Sequence, residues 1–371
     1  MIPYGRQCVD EDDVAAVAEV LRGDWLTAGP AVRSFEDAVA ERVDARFAVA
    51  FSSGTAGLHG AAAAAGLGPG DLVATPSLTF VASANCARYV GADVVFVDVE
   101  ESTMNLDPAL VPDTADALVA VHFAGLPLDL SRLERRPRVV IEDAAHALGA
   151  VGPLGPIGNC AASDMCVFSF HPVKPVTSAE GGIVTTNSPE LAERLRRFRN
   201  HGMHGAGESV EEPWAYRIDE TAMNYRLSDL HAALGRSQLS KLDRFTRRRE
   251  QLARRYDEAL AGAAVRTPPR APGGQVHSRH LYPVRVLDRR RVYEELRAAG
   301  IGVQVHYVPV HHQPLYADVL SAPLPVTEAV YDGLLSLPLH PTLTDADQDR
   351  VVRALSATTA GSPQVESERR R

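Results

Sequence analysis

The sequence predicts an α/β fold, with a mostly parallel sheet covered by helices and a smaller C-terminal α+β region after it. Three observations predict this. Over the first two-thirds of the chain, short and continuously apolar runs alternate with helix-like stretches. Each run ends in small or polar residues, as expected where ligands bind outside the carboxyl ends of strands. Beyond about residue 228 the alternation gives way to long Arg-rich helical sequence and isolated strands.

Taken in order, Phe47–Ser52 (FAVAFS) reads as a strand and Thr55–Ala65 as a small-residue helix. Leu72–Thr75 reads as a strand, Phe80–Tyr89 as a helix and Val94–Val97 as the next strand. Ala117–His122 and Val139–Glu142 are further strands. Met165–Phe170 and Gly182–Thr186 read as two strands joined by a long turn. The pattern from Ser228 to Leu260 predicts one long helix. Pro268, Pro269 and Pro272 mark a loop, followed by a strand at Leu281–Leu287. A helix at Arg290–Ala299, the segment Val303–Val310 and a helix near Asp345–Ser356 complete the small region. The expected division is a large domain over 1–230, a small one over 231–361 and a disordered tail over 362–371.

Composition narrows the function. With 45% apolar residues the 371-residue chain can bury a sizeable core, and 23% charged residues do not mark a disordered chain. The net charge of −9, with no dense basic face, argues against nucleic acid as a partner. Cys8, Cys86, Cys160 and Cys166 form no C-x-x-C pair, so a reduced, cytoplasmic protein is expected. The first residues hold no apolar signal-peptide core, and no apolar run is long enough for a membrane span. Of 38 Lys+Arg, only Lys174 and Lys241 are lysine. Arginine serves well as a surface cation, but its guanidinium stays protonated and cannot act as an amine nucleophile. Codon bias accounts for lysine depletion as a whole, not for which two lysines remain.

Four segments after predicted strands carry candidate chemistry. In Ser169-Phe170-His171-Pro172-Val173-Lys174 a turn presents an amine, which can condense with an aldehyde when partly desolvated. In Glu142-Asp143-Ala144-Ala145-His146 a buried strand ends in two carboxylates. A carboxylate beside a pyridine nitrogen keeps it protonated and makes pyridoxal phosphate an electron sink. Ser53-Gly54-Thr55-Ala56 opens a helix whose N-terminal amides can cradle a phosphate. Phe80, after Thr75-Pro76-Ser77-Leu78-Thr79, can cover a flat ring. Alone, each has a plainer reading: a surface lysine, a helix cap, a Gly/Ser turn, a core phenylalanine. Together they supply the parts of one cofactor site.

Their order and wording resemble the DegT/DnrJ/StrS family of sugar aminotransferases, which are fold-type I pyridoxal-phosphate enzymes. The resemblance spans nearly the whole chain. It includes Trp25-Leu26-Thr27-Ala28-Gly29-Pro30, Glu180-Gly181-Gly182, Met223-Asn224-Tyr225-Arg226 and His306-Tyr307-Val308-Pro309-Val310-His311. The opening Met1–Gln7 (MIPYGRQ), with Val9–Asp13 (VDEDD), is similar to the branch of UDP-4-amino-4,6-dideoxy-N-acetyl-β-L-altrosamine transaminases, which make pseudaminic-acid precursors.

The resemblance implies a seven-stranded large domain and a catalytic set of Lys174, Asp143 and His146. Lys174 is implied as the Schiff-base lysine and proton shuttle, Asp143 as the pyridinium partner, and His146 as a neighbour of the ring. Gly54, Thr55, Ala56 and Ser169 are implied at the phosphate, with Phe80 over the ring. Asn224 is implied to reach the phosphate of a neighbouring subunit, so a homodimer with shared sites is expected. Thr27, Arg226, His306, Tyr307 and His311 are expected at the substrate, and no metal is expected. The implied reaction moves an amine from L-glutamate to C4 of a nucleotide-linked 4-keto-6-deoxy sugar, with a UDP-linked N-acetyl sugar favoured; C3 amination of a dTDP- or GDP-linked keto-sugar and a non-catalytic cofactor-binding regulatory subunit are the alternatives. Val176–Glu180 and Thr221–Met223 depart from the family's usual wording beside the substrate, which leaves sugar identity open. Lys241, on the Arg-rich helix, is expected to be solvated.

Overall fold

The structure, a computed structural model, describes residues 1–205, 212, 214–319 and 321–360. The expected tail at 362–371 lies outside the described residues. Two helices open the chain, α1 (Glu11–Arg22) and α2 (Pro30–Val43). The large sheet then starts with β1 (Phe47–Phe51), followed by α3 (Gly54–Ala64), β2 (Leu72–Pro76), α4 (Ala82–Tyr89) and β3 (Asp93–Val97). Four more strands complete it: β4 (Ala117–Val121), β5 (Val139–Asp143), β6 (Met165–Ser169) and β7 (Gly182–Thr186). The seven strands lie in the order β1-β7-β6-β5-β4-β2-β3. Only β7 runs against the others, paired antiparallel with β1 and β6. This is the fold-type I arrangement, a mostly parallel sheet with helices packed on it.

Strand alternation assigns the two faces. Val49, Ile141 and Val167 join Leu58 of α3, Ala84 of α4 and Leu195 of the helix α5 (Pro189–Phe198) in one buried cluster. Ala48, Ala50, Cys166 and Phe168 face the other way, onto Phe35 and Val39 of α2. β4 and β5 are buried at every position, which is why they read as unbroken apolar runs. The same alternation separates the two carboxylates that end β5. Asp143 shares the face of Ile141, towards α4. Glu142 points the other way and meets His122 (2.7 Å) and Ser163.

The expected single helix over Ser228–Leu260 is two helices, α6 (Asp229–Leu239) and α7 (Leu242–Ala259). Ser240 and Lys241 separate them. α6 packs on α1 and α2, so it belongs to the layer beneath the large sheet. The break occurs where Lys241 dips towards the start of α1, a contact no local sequence signal announces. The other described part builds a second core. It contains β8 (Val265–Arg266), β9 (Tyr282–Val286), α8 (Arg289–Ala298), α9 (Pro325–Gly333), β10 (Leu334–Leu337) and α10 (Asp345–Thr359). Its apolar centre joins Leu252 and Tyr256 of α7 to Val284, Leu296, Leu335 and Leu355. Ile2 reaches this core from the N-terminus and pairs with Ile301. Val303–Val310 forms no strand; its backbone makes one bridge, Gln304 to Ser336, before a short turn of helix at Val310–His312. No helix among the described residues is long and apolar enough to cross a membrane. All four cysteines are free.

Candidate active site

The carboxyl ends of the parallel strands meet around one cavity of about 340 Å³. Lys174, Asp143, His146, Ser169, Gly54, Thr55, Phe80, His306 and Tyr307 all line it. These residues come from four separate strand ends and from the segment before α9, so the sheet topology is what gathers them.

Lys174 sits on the turn between β6 and β7. Its backbone N–H bonds the His171 carbonyl at 2.9 Å, and Phe170 bonds Gly181 and Ser178 at 2.9 Å each, which closes the turn at its base. Burial pulls the Lys174 amine down to about 8, opposed by the nearby charge of Asp143. A useful fraction of the amine is therefore neutral near physiological pH. Asp143 is 6% exposed. Its Oδ2 accepts from the Ser83 hydroxyl at 2.7 Å and its Oδ1 from the Ala145 amide at 3.1 Å. Thr79 and Ser83 hydroxyls lie 2.8 Å apart, so a short hydroxyl relay fixes the carboxylate from the start of α4.

His146 Nε2 lies 3.0 Å from the Tyr307 hydroxyl, and its buried Nδ1 has no partner among the described residues. Burial, then the Lys174 charge, then His306, keep its ring neutral by pushing its pKa well down. His280 packs against it with ring centroids 4.4 Å apart, and its own Nδ1 is also unpartnered. Buried polar atoms without partners are rare, and here two lie on adjacent imidazoles of the cavity wall.

The start of α3 is shaped for an anion. Ser53 caps the helix, and a side chain on Gly54 would put its Cβ 2.9 Å from Ser169 Cβ. A Cβ on Gly182 would come 2.3 Å from the Ser53 carbonyl. Only glycine permits these approaches, which bring the helix N-terminus against Ser169. The Ala56 amide donates to the Ser53 hydroxyl at 3.0 Å, which leaves the Gly54 and Thr55 amides at the mouth of the helix. Phe80 stays 55% exposed at the cavity wall, with its ring centroid 5.9 Å from that of Tyr307.

The cavity leaves out several expected residues. His311 bonds Ser77 (2.6 Å) and Glu328 (2.7 Å) instead of lining it. With His312 and Glu328 it forms a cluster whose ligand atoms lie within 4.8 Å, a possible cation site that sequence reading did not foresee. Glu328 accepts from both imidazoles, so the cluster is satisfied without an ion. Thr27, Asn224 and Arg226 lie elsewhere too. Thr27 bridges Ser228, Asn224 bridges Asn200, and Arg226 donates to Asn200 at 2.7 Å. Four contributors were not anticipated: Tyr4, Thr79, Ser83 and His280. Their positions after strands or in polar turns carry no distinctive signal.

A profile of the DegT/DnrJ/EryC1/StrS aminotransferase family matches residues 7–356. The chain belongs to this family. It is therefore a pyridoxal-phosphate-dependent sugar aminotransferase. Among solved structures, Spr1654 from Streptococcus pneumoniae in its PMP form is 28% identical, with a TM-score of 0.91 over 97% of this chain and 99% of that one. Helicobacter pylori PseC, an aminotransferase in the biosynthesis of pseudoaminic acid, is 29% identical, with a TM-score of 0.88 over 96% and 99%. The sugar aminotransferase CalS13 from Micromonospora echinospora is 31% identical, with a TM-score of 0.87 over 96% and 100%. The cavity fits the family's cofactor. It offers an amine, a carboxylate, a glycine-lined helix N-terminus and an unpartnered imidazole nitrogen within one wall.

Proposed function

We propose that the chain moves an amino group from L-glutamate to C4 of a nucleotide-linked 4-keto-6-deoxy sugar, with a UDP-linked N-acetyl sugar as acceptor. The observation that carries the chemistry is the lowered Lys174 amine facing Asp143 across a cavity that opens on the start of α3. The likeness to PseC and the pseudaminic-type N-terminus, whose Tyr4 lines the cavity, support the C4 choice. Pyridoxal phosphate, when bound, supplies an electrophilic carbon and an electron sink.

The rest falls to the chain's own residues. Lys174 would hold the cofactor, and its free amine would serve as the base that accepts and returns the proton of the donor's α-carbon. Asp143 keeps the pyridine nitrogen protonated, and Ser83 with the Ala145 amide keeps Asp143 aimed. The Gly54 and Thr55 amides and the Ser169 hydroxyl bind the phosphate. Phe80 covers one ring face. His146, held neutral, stands beside the ring as a hydrogen-bonding neighbour. His306 and Tyr307 wall the sugar subsite.

The unit is a homodimer with shared sites. Trp25 and Leu26 are 59% and 50% exposed beside Thr27, an apolar surface suited to a second copy. Asn224 and Arg226, outside this copy's cavity, then serve the partner's phosphate and substrate. Packing supports a large and a small domain that meet near residue 240, and free cysteines suit a cytoplasmic location.

The test mixes holoenzyme with L-glutamate and follows conversion of the lysine-bound cofactor to the pyridoxamine form. A panel of nucleotide-linked keto-sugars is then read by product mass and by the position of the new amine. No conversion overturns the enzyme assignment for this site; an amine at C3 overturns the C4 choice.

A further inference from the structure

α7 carries several arginines, and most meet acids. Arg244, Arg248, Arg254 and Arg255 pair with Asp10, Asp345, Glu250 and Asp349. Arg249 differs. It is 2% exposed, and among the described residues it meets no carboxylate. Its Nη1 donates to the Pro175 carbonyl at 3.1 Å and its Nη2 to the Lys174 carbonyl at 3.4 Å. Its Nε has no partner among the described residues.

A buried cation without a counter-ion is costly, so such a group is not explained by helix packing alone. The planar fork of arginine suits two neighbouring carbonyls, which one ammonium serves less well. The two carbonyls it holds belong to the residue that faces the cavity and to the proline after it. Within the turn the Lys174 N–H bonds the His171 carbonyl, and bonds at Phe170, Gly181 and Ser178 close its base. Arg249 adds a tie from α7 beneath the tip.

We propose that Arg249 is a positioning residue for Lys174: its guanidinium clamps the Lys174 and Pro175 carbonyls and so aims the amine into the cavity. This rests on the reading that Lys174 carries the cofactor. Release of the clamp lets the turn relax and the amine reach water.

The chain has only two lysines, so the amine can be read directly. The cofactor-free full chain is labelled with a small amine-reactive reagent across pH, and Lys174 is followed by peptide mass. The wild-type midpoint is expected at about 8. In Arg249→Met it should rise by about one unit or more towards the ordinary lysine value, and in Arg249→Lys by less. With cofactor bound, the first-order rate of the glutamate half-reaction should fall roughly 10- to 100-fold in Arg249→Met, with partial rescue in Arg249→Lys. A midpoint within about 0.3 unit of wild type in folded Arg249→Met, with only the denaturation midpoint lowered, overturns the proposal. If Arg249→Met does not fold, an unshifted midpoint in Arg249→Lys together with a wild-type rate overturns it. Borohydride reduction of the wild-type holoenzyme keeps the two readings apart. Cofactor fixed on Lys174 leaves the labelling profile to decide about Arg249, whereas cofactor fixed elsewhere overturns the parent reading.

Discussion

The two lysines sit in opposite environments, and their contrast explains what each does. Lys241 is 8% exposed, as deep as many core residues. Burial pulls its pKa down, but hydrogen bonds and charges from Asp10 and Asp13 outweigh burial and raise it. Asp13 is fully buried and also accepts from Ser237 and Gln238 at 2.6 Å each. Lys174 is shielded with no carboxylate in contact among the described residues, and Asp143 acts on it only through space, so its amine falls to about 8. Depth alone therefore does not decide a lysine's charge; the partner set does. One lysine pins α1 to the break between α6 and α7. The other is kept ready to lose its proton. The expectation that Lys241 is solvated was wrong for the same reason, since its acidic partners lie more than 200 residues away.

Exchanging each lysine for arginine should break the contrast most sharply. Lys174→Arg should lower turnover roughly 1000-fold or more, because the guanidinium supplies no free amine. Lys241→Arg should stay within a few-fold of wild type. Steady-state rates decide, and comparable losses at both positions would contradict the assignment.

Removing the charge of Lys241 comes next. Lys241→Met leaves Asp13 buried without its cation and should destabilise the fold by roughly 3 kcal/mol, read by urea denaturation. An unchanged midpoint would mean that Ser237 and Gln238 suffice.

The pH dependence separates the lysines by sign. Lys174 has a folded value near 8, below the unfolded one, so its contribution to stability of the cofactor-free chain rises with pH between about 8 and 10.5. Lys241 is raised, so its contribution is complete below 10.5 and is lost as pH climbs through its folded value. Cofactor-free Lys174→Met should accordingly be more stable than wild type at pH 7, by up to about 3 kcal/mol, with the gap closing towards pH 10. A gap that stays constant with pH refutes the lowered amine.

The finest test sharpens the through-space influence. The charge of Asp143 opposes the fall at Lys174, so Asp143→Asn should move the labelling midpoint of Lys174 below about 8. A rise would show that Asp143 does not act on the amine.

Much of the site was legible because its residues follow strands that are buried on both faces and so read clearly. Ser53–Ala56, Phe80, Asp143 and Lys174 each follow such a strand, and a parallel sheet brings its carboxyl ends together. Other features had no such marker. Arg249 looks like any arginine of an Arg-rich helix, and Ser83 like any serine near a helix start. His280 precedes its strand instead of following it. Tyr4 lies in an N-terminal segment whose place over the cavity depends on Ile2 and the small-domain core. Ala56 shows the converse, since its motif position suggested a free amide but the Ser53 cap already uses it.

The sequence by itself determined the sheet, the strand ends that line the cavity and the turn that presents Lys174 there. Those are local properties: apolar period, turn chemistry and the kind of proton a side chain holds. Tertiary structure alone decided which buried group is charged, which carbonyls a buried arginine grips and which carboxylate faces the cavity. Charge state and aim depend on distance and dielectric, and those are set by contacts between residues far apart in the chain.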